Sequence, residues 1–379
     1  MSERVADAGR LFLELGGRVA QTLARLQQAR DVRVGCSERR AVWTRHKTTL
    51  YEYSPLEHES APAGRRGARA APSARARRRG RPLLICFALV NRPYVLDLQP
   101  EFSLVRRLLG AGFNVYMLEW GDPDDGDRLR ELNDYLEEGL GGSVRHILAS
   151  HGVETLDLLG VCQGGFFSLC YTALHPGEIA NLVTLTTAVD YQTPDDLLSK
   201  WVRGIDTELL ARTGNLSGDL LNALFLSLMP FRLMQQKYVR LLTGPADQQA
   251  IDNFVRMERW IFDSPPQAAV ALTQFVRWLY QENRLMQGTL ELGGRVVDLK
   301  SIRQPLLNLY AKADHLVPPA ACAVMSRCVG STDYTACAID TGHIGMYVSR
   351  KAREEIPERI ISWLKARGAG APKRRSKAQ

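Results

Sequence analysis

The stretch Leu158-Leu159-Gly160-Val161-Cys162-Gln163-Gly164-Gly165 decides how this chain is read. It joins an apolar run of strand character, VETLDLLGV, to a helix-forming run, FFSLCYTALH. The pattern G-x-C-x-G-G is that of a nucleophile elbow, with cysteine in the place serine usually holds. The sharp strand-to-helix reversal needs small residues at Gly160 and Gly164. It lifts the Cys162 thiol above the sheet edge and aims the backbone N–H of Gln163 at a developing oxyanion. So short a string also fits a buried turn with an inert cysteine, and its surroundings must decide.

Outward from the elbow, strands and helices alternate. LLICFALV, FNVYMLEW and ANLVTLTTAV read as strands, and FSLVRRLLGAG and RLRELNDYLEEGLGGSVRHILASHG as helices. The alternation predicts a mostly parallel sheet with helices on both faces. It stops near Tyr191. FLSLMPFRLMQQKYVRLL and AAVALTQFVRWLYQENRL mark a helical block that resumes the strand–helix pattern only at PLLNLYAKAD, ACAVMSRC and YTACAID, before a last helix through IPERIISWLKARG. The fold class expected is α/β, with an inserted, largely helical cap. The core spans 82–190 and 296–366 and the cap 191–295. Residues 1–60 supply an amphipathic helix over Val5–Ala29 and an extended stretch at 40–53. Residues 61–81 form a basic linker and 367–379 a basic tail.

Chain order supplies the elbow's partners. Asp314 follows the strand PLLNLY, and His343 lies in TGHIG between the last strand and the last helix. Nucleophile, acid, histidine is a known catalytic order for this architecture. His315 is the rival histidine, read as a loop or surface residue. Asp340 is the rival acid; Asp314 is preferred because it lies just past a sheet strand. An imidazole near a thiol favours the thiolate, which attacks thioesters or activated esters and holds the acyl group covalently. These residues alone specify acyl transfer or hydrolysis.

Composition removes other classes. The formal net charge is +8, yet eight arginines sit in 61–81 without an acid, and Lys373, Arg374, Arg375 and Lys377 sit in the tail. Without those twelve cations the remainder carries −4, so the basic balance marks solvated tracts and no specific nucleic-acid surface. Seven cysteines without a CxxC pair fit a reducing compartment. No apolar run reaches spanning length, and the N-terminus lacks a signal-peptide core. The aspartates of WGDPDDGD read as a turn and helix cap. No HExxH and no zinc-spaced cysteines occur, so no metal is expected.

From Thr48 to Lys365 the sequence resembles the catalytic subunit of bacterial polyhydroxyalkanoate synthases of the short, two-subunit (class III) type. The resemblance rests on LVNRPYVLDLQP, WGDPD, LLGVCQGGFFSLCYTALHP, DYQTPD, ADHLVPP and GHIGMYVS, in that order. It implies an α/β-hydrolase core with a cap, polymerising (R)-3-hydroxyacyl-CoA, typically 3-hydroxybutyryl-CoA, with release of CoA. The nucleophile would be Cys162, deprotonated by His343. Asp314 would help activate the 3-hydroxyl for chain extension, through His343. The amides of Gln163 and Val90 would form the oxyanion hole, with Asn91 beside them at the substrate. CoA enters as substrate, and no cofactor is implied. Implied partners are the growing polyester, a second non-catalytic subunit and a second copy of the chain. The implied location is the cytoplasm, at the granule surface. Three features depart from the family pattern: the length and charge of the arginine tract, the basic tail, and Glu119 where aspartate is usual before Trp120. The alternative on the same residues is a cysteine esterase, thioesterase or polyester depolymerase.

Overall fold

The computed structural model describes residues 32–56, 81–194, 196–228 and 248–368. The helix read over Val5–Ala29, the arginine tract apart from Arg81, the tail beyond 368 and residues 229–247 of the helical block lie outside them.

Among the described residues one sheet has eight strands: β1 (Arg39–Arg45), β2 (Thr48–Tyr53), β3 (Pro82–Cys86), β4 (Asn114–Glu119), β5 (Leu156–Val161), β6 (Ile179–Leu185), β9 (Leu306–Ala311) and β10 (Tyr334–Ile339). A separate hairpin contributes β7 (Glu291–Leu292) and β8 (Arg295–Val296). The spatial order is β1-β2-β4-β3-β5-β6-β9-β10. From β4 to β10 every neighbouring pair is parallel. β1 and β2 add an antiparallel edge on β4. The stretch 40–53 is therefore part of the sheet. The turn between its two strands uses His46 at φ 49°, without the glycine or asparagine that usually marks such a turn.

The central strands read as unbroken apolar runs because both faces are covered. Alternate residues still divide between the faces. Leu84, Leu118 and Leu158 join Phe166 and Phe167 of α3 (Gln163–Leu174) and the apolar side of α2 (Gly142–His151). Leu83, Ile85, Met117 and Leu159 pack on the other face against Val105 and Leu108 of α1 (Leu104–Gly110) and Ile356 and Ile360 of the last helix. Each buried Leu or Ile contributes roughly 1.5–3 kcal/mol relative to exposure.

Between β6 and β9 the chain forms the inserted helices α4 (Leu197–Val202), α5 (Thr207–Arg212), α6 (Gly218–Leu228), α7 (Gln248–Ile261) and α8 (Ala269–Phe275), the last continued by a π-type turn over Val276–Gln281. The last helix, α9 (Arg350–Arg367), begins six residues before the Ile356-Pro357 that looks like its start. Ser349 caps it by accepting from the Ala352 amide at 3.2 Å, and Pro357 rides inside. The missing amide at Pro357 costs one helix bond, which packing of Ile356 and Ile360 offsets.

The parallel strands all end at one sheet edge. The turns after β3, β5, β6, β9 and β10 carry, respectively, Val90, Cys162, Thr186, Asp314 and His343. Such an edge is where open α/β sheets gather their reacting groups.

Candidate active site

Cys162 sits at φ 54°, ψ −122°, between the last residue of β5 and the first of α3. Its amide donates to Leu185 O at 2.8 Å, and its carbonyl accepts from Gly165 N at 2.9 Å. A left-handed, non-glycine residue is held only where surroundings over-determine it. Here close approach does so. A Cβ on Gly164 would lie 2.1 Å from Cys86 O, and one on Gly160 would lie 2.5 Å from Gly165 Cα. Both expected small positions are thus occupied by residues that nothing larger could replace without moving the backbone.

His343 Nδ1 lies 2.7 Å from Asp314 Oδ2. Asp314 Oδ1 accepts from the amides of Leu316 and Val317, each at 2.9 Å. Both carboxylate oxygens are therefore engaged, and the Asp314 side chain is only 1% exposed. His343 in turn shares the lining of one cavity with Cys162. Burial alone would lower the pKa of His343, but the Asp314 carboxylate and Cys162 outweigh it and push it up to about 10. The protonated imidazole, the form that exists once it has taken the thiol proton, is the favoured one.

This raised pKa has a thermodynamic signature. The folded chain keeps a His343 proton that the unfolded chain releases near pH 6.5, so the stabilisation is complete below about pH 6.5 and lost as pH rises toward 10. Asp314→Asn is therefore expected to lower the melting temperature most near pH 6, with the deficit shrinking through pH 8 to pH 10. Thermal unfolding across that range checks it, and a deficit independent of pH would contradict it.

The rivals separate cleanly. Asp340 is exposed and pairs with Lys351 at 3.6 Å. His315 is a half-buried loop residue. It lines the same cavity as Cys162, yet Asp314 Oδ2 goes to His343. In WGDPDDGD, Asp124 caps a short turn with Asp127 and pairs with Lys47 at 2.6 Å. Glu119 pairs with Arg39 at 2.6 Å on the sheet's antiparallel edge, where the exchange for aspartate touches nothing near Cys162.

Val90 and Asn91 lie on the loop after β3 and line the cavity with Gln163. The loop is braced by side chains the sequence did not single out. Gln163 Oε1 accepts from Leu89 N at 3.0 Å, Gln267 Nε2 donates to Leu89 O at 2.9 Å, and Trp260 Nε1 donates to Arg92 O at 2.8 Å. Ser264 Oγ reaches Asn91 Oδ1 at 3.5 Å. Gln267 and Trp260 come from the inserted segment, so the insertion and the loop are fixed together. No local motif announces such long-range contacts. The cavity, about 260 Å³, takes Cys162 and His343 on its floor and Tyr191, Trp201, Phe225 and Tyr280 on its walls. Its lining contains no lysine or arginine among the described residues.

Comparison with known proteins bears on the fold and the family. A profile of the α/β-hydrolase fold matches residues 81–348. The chain is 44% identical to the poly(3-hydroxyalkanoate) polymerase subunit PhaC of Allochromatium vinosum, over 94% of this chain and 96% of that one. The corresponding subunit of Thiocystis violacea is 42% identical over the same shares, and that of Synechocystis 40% over 89% and 86%. Among solved structures, a monoacylglycerol lipase of Paleococcus ferrophilus superposes with a TM-score of 0.51 at 17% identity, covering 76% of this chain and 97% of that one. That likeness concerns the fold alone.

Proposed function

Since the chain belongs to the PhaC-type poly(3-hydroxyalkanoate) polymerases of the α/β-hydrolase superfamily, we propose that Cys162 carries the growing polyester, with His343 as its base and Asp314 as the group that orients and charges that base. The enzyme is an acyltransferase that polymerises hydroxyacyl-CoA into polyhydroxyalkanoate with release of CoA. The observation that carries the residue assignment is the His343–Asp314 contact, with His343 and Cys162 together in the lining of one apolar cavity.

The Cys162 thiolate attacks the thioester carbonyl. The oxyanion formed is held by the amides of Gln163 and Val90, the first at the N-terminus of α3 where the helix dipole adds to it. The carbon–sulfur bond to CoA then breaks, and the CoA sulfur takes the proton from His343. In extension, the 3-hydroxyl of an incoming acyl-CoA attacks the acyl-cysteine carbonyl and His343 takes its proton. The new ester forms and the Cys162 thiolate leaves. The lengthened chain, now a CoA thioester, returns to Cys162 with loss of CoA. Because Asp314 is buried behind His343 and bonded to its Nδ1, the aspartate acts on the hydroxyl through His343.

The division read from the sequence, a core over 82–190 and 296–366 with a cap over 191–295, fits a site whose floor is core and whose walls are cap. The cap keeps water from the acyl-cysteine, which favours ester formation over hydrolysis. Among the described residues the cavity lining holds no lysine or arginine, so we assign the charged nucleotide of CoA to the outside, with only the thioester end entering. The substrate we assign is (R)-3-hydroxybutyryl-CoA. The relatives are each named as a subunit, and we assign to this chain a second, non-catalytic subunit, pairing with its own copy, and a place at the polyester granule. Among the described residues no helix is long and apolar enough to cross a membrane.

Incubation with its second subunit and 3-hydroxybutyryl-CoA is expected to give insoluble polyester and one CoA per unit incorporated. Free 3-hydroxybutyrate in place of polymer would assign the site to a thioesterase or depolymerase.

A further inference from the structure

Among the hydroxyl side chains that line the cavity, two are joined to each other and to the elbow: Thr186, just after β6, and Tyr347, one turn beyond His343. Thr186 stands at φ 51°. A β-branched residue in the left-handed region is a backbone outlier, costing of order 1–3 kcal/mol, and such strain gathers at working sites. Asp, Asn or Gly would bear that conformation with less strain, and the chain has threonine there.

The hydrogen-bond chain explains what the threonine does. Thr186 Oγ1 donates to Leu185 O at 2.8 Å, and the same carbonyl accepts from the Cys162 amide at 2.8 Å. Tyr347 Oη lies 3.1 Å from Thr186 Oγ1. With the threonine proton committed to Leu185, the phenol must be the donor in that contact. Burial holds the phenol far above its usual titration range, so the proton stays on Tyr347. The phenol oxygen, its own proton spent, then offers only lone pairs to the cavity. Tyr347 also stands edge-on to His343, with ring centroids 5.9 Å apart.

We propose that Thr186 and Tyr347 form an acceptor-only notch that receives the 3-hydroxyl of the acyl unit being loaded on Cys162, so that the site prefers hydroxyacyl thioesters over plain acyl thioesters. The proposal rests on Cys162 being the acylated residue. A hydroxyl is a donor that an acceptor-only notch can satisfy, whereas a methylene in its place leaves buried lone pairs unpaired. The notch is joined to the Cys162 backbone through Leu185 O, which fixes the distance between the hydroxyl and the reacting carbonyl. Tyr347 and Thr186 are here binding and positioning residues; the bond-making stays with Cys162 and His343.

The test measures first-turnover CoA release by the full-length chain, in excess over either 3-hydroxybutyryl-CoA or butyryl-CoA, with CoA quantified by chromatography. The reading is the ratio of the two rates. Tyr347→Phe is expected to lower that ratio about tenfold, the size of one lost hydrogen bond. Thr186→Val is expected to lower it as well, because the phenol loses its acceptor and turns its proton toward the cavity. If both variants slow the two thioesters by the same factor, the residues merely support the fold and the proposal is overturned. If the unaltered chain shows no preference, it is overturned too. Failure of the underlying reading looks different: acyl groups would then be found away from Cys162 with either thioester.

Discussion

Cys162→Ala is expected to release no CoA from 3-hydroxybutyryl-CoA and to form no covalent acyl-protein. The loss should exceed about a thousandfold, since removing a nucleophile leaves only the binding and oxyanion contributions. The substitution is mild for the fold. Cys162 is half buried, its backbone bonds to Leu185 and Gly165 do not use the side chain, and alanine keeps the Cβ. The remaining six described cysteines include Cys86, Cys170 and Cys322, all buried, with burial raising each thiol's pKa. None of them can take over the chemistry. CoA release and intact-protein mass check the result. Retained activity with an acyl adduct elsewhere would remove Cys162 from the mechanism.

His343→Ala is expected to slow first-turnover CoA release by about a thousandfold, within the range general-base catalysis supplies. The imidazole takes the thiol proton, returns one to the leaving CoA sulfur and later accepts the proton of the attacking hydroxyl, so all three steps suffer. Two controls separate this from misfolding. The variant should still be alkylated at Cys162 by iodoacetamide, more slowly at neutral pH than in alkaline solution. His315→Ala, at the other histidine of the cavity, should change the rate far less because the Asp314 Oδ2 contact is made to His343. A large loss on His315→Ala with little on His343→Ala would reverse the assignment.

The elbow and its partners were legible in the sequence for a physical reason. A strained turn admits few residues, so Gly160, Cys162 and Gly164 stand out as letters. Strand ends are likewise marked by the change from apolar runs to polar loops, which placed Asp314 and His343. What stayed hidden is what depends on contacts between distant segments. Trp260 and Gln267 brace the loop after β3 from more than a hundred residues away. Thr186 looks like any residue of TLTTAV until its φ of 51° and its bond to Tyr347 are seen. The antiparallel edge was missed because His46 makes the turn that glycine usually makes. The early part of α9 was missed because Pro357 resembles a helix start, although Ser349 is the cap. His315, read as a loop or surface residue beside Asp314, is a half-buried loop residue, and its place in the cavity lining is what the sequence did not show.

The charge balance acquires a simple meaning at this site. The +8 of the whole chain lies largely in tracts outside the described residues, while the cavity around Cys162 is apolar and, among the described residues, lined by no lysine or arginine. The titratable groups at the cavity include His343, held by Asp314, and the carboxyl of Asp196, which burial pushes up to about 6.

The central claim, that the polyester grows from Cys162, is tested most directly by mapping the acyl group. The full-length chain is mixed with limiting 3-hydroxybutyryl-CoA, quenched in acid and digested, and the modified peptide is sequenced by mass spectrometry. The expected result is a 3-hydroxybutyryl adduct, and short oligomers of it, on the peptide containing Cys162 alone. An adduct on any other residue, or CoA release with free 3-hydroxybutyrate and no adduct, would contradict it.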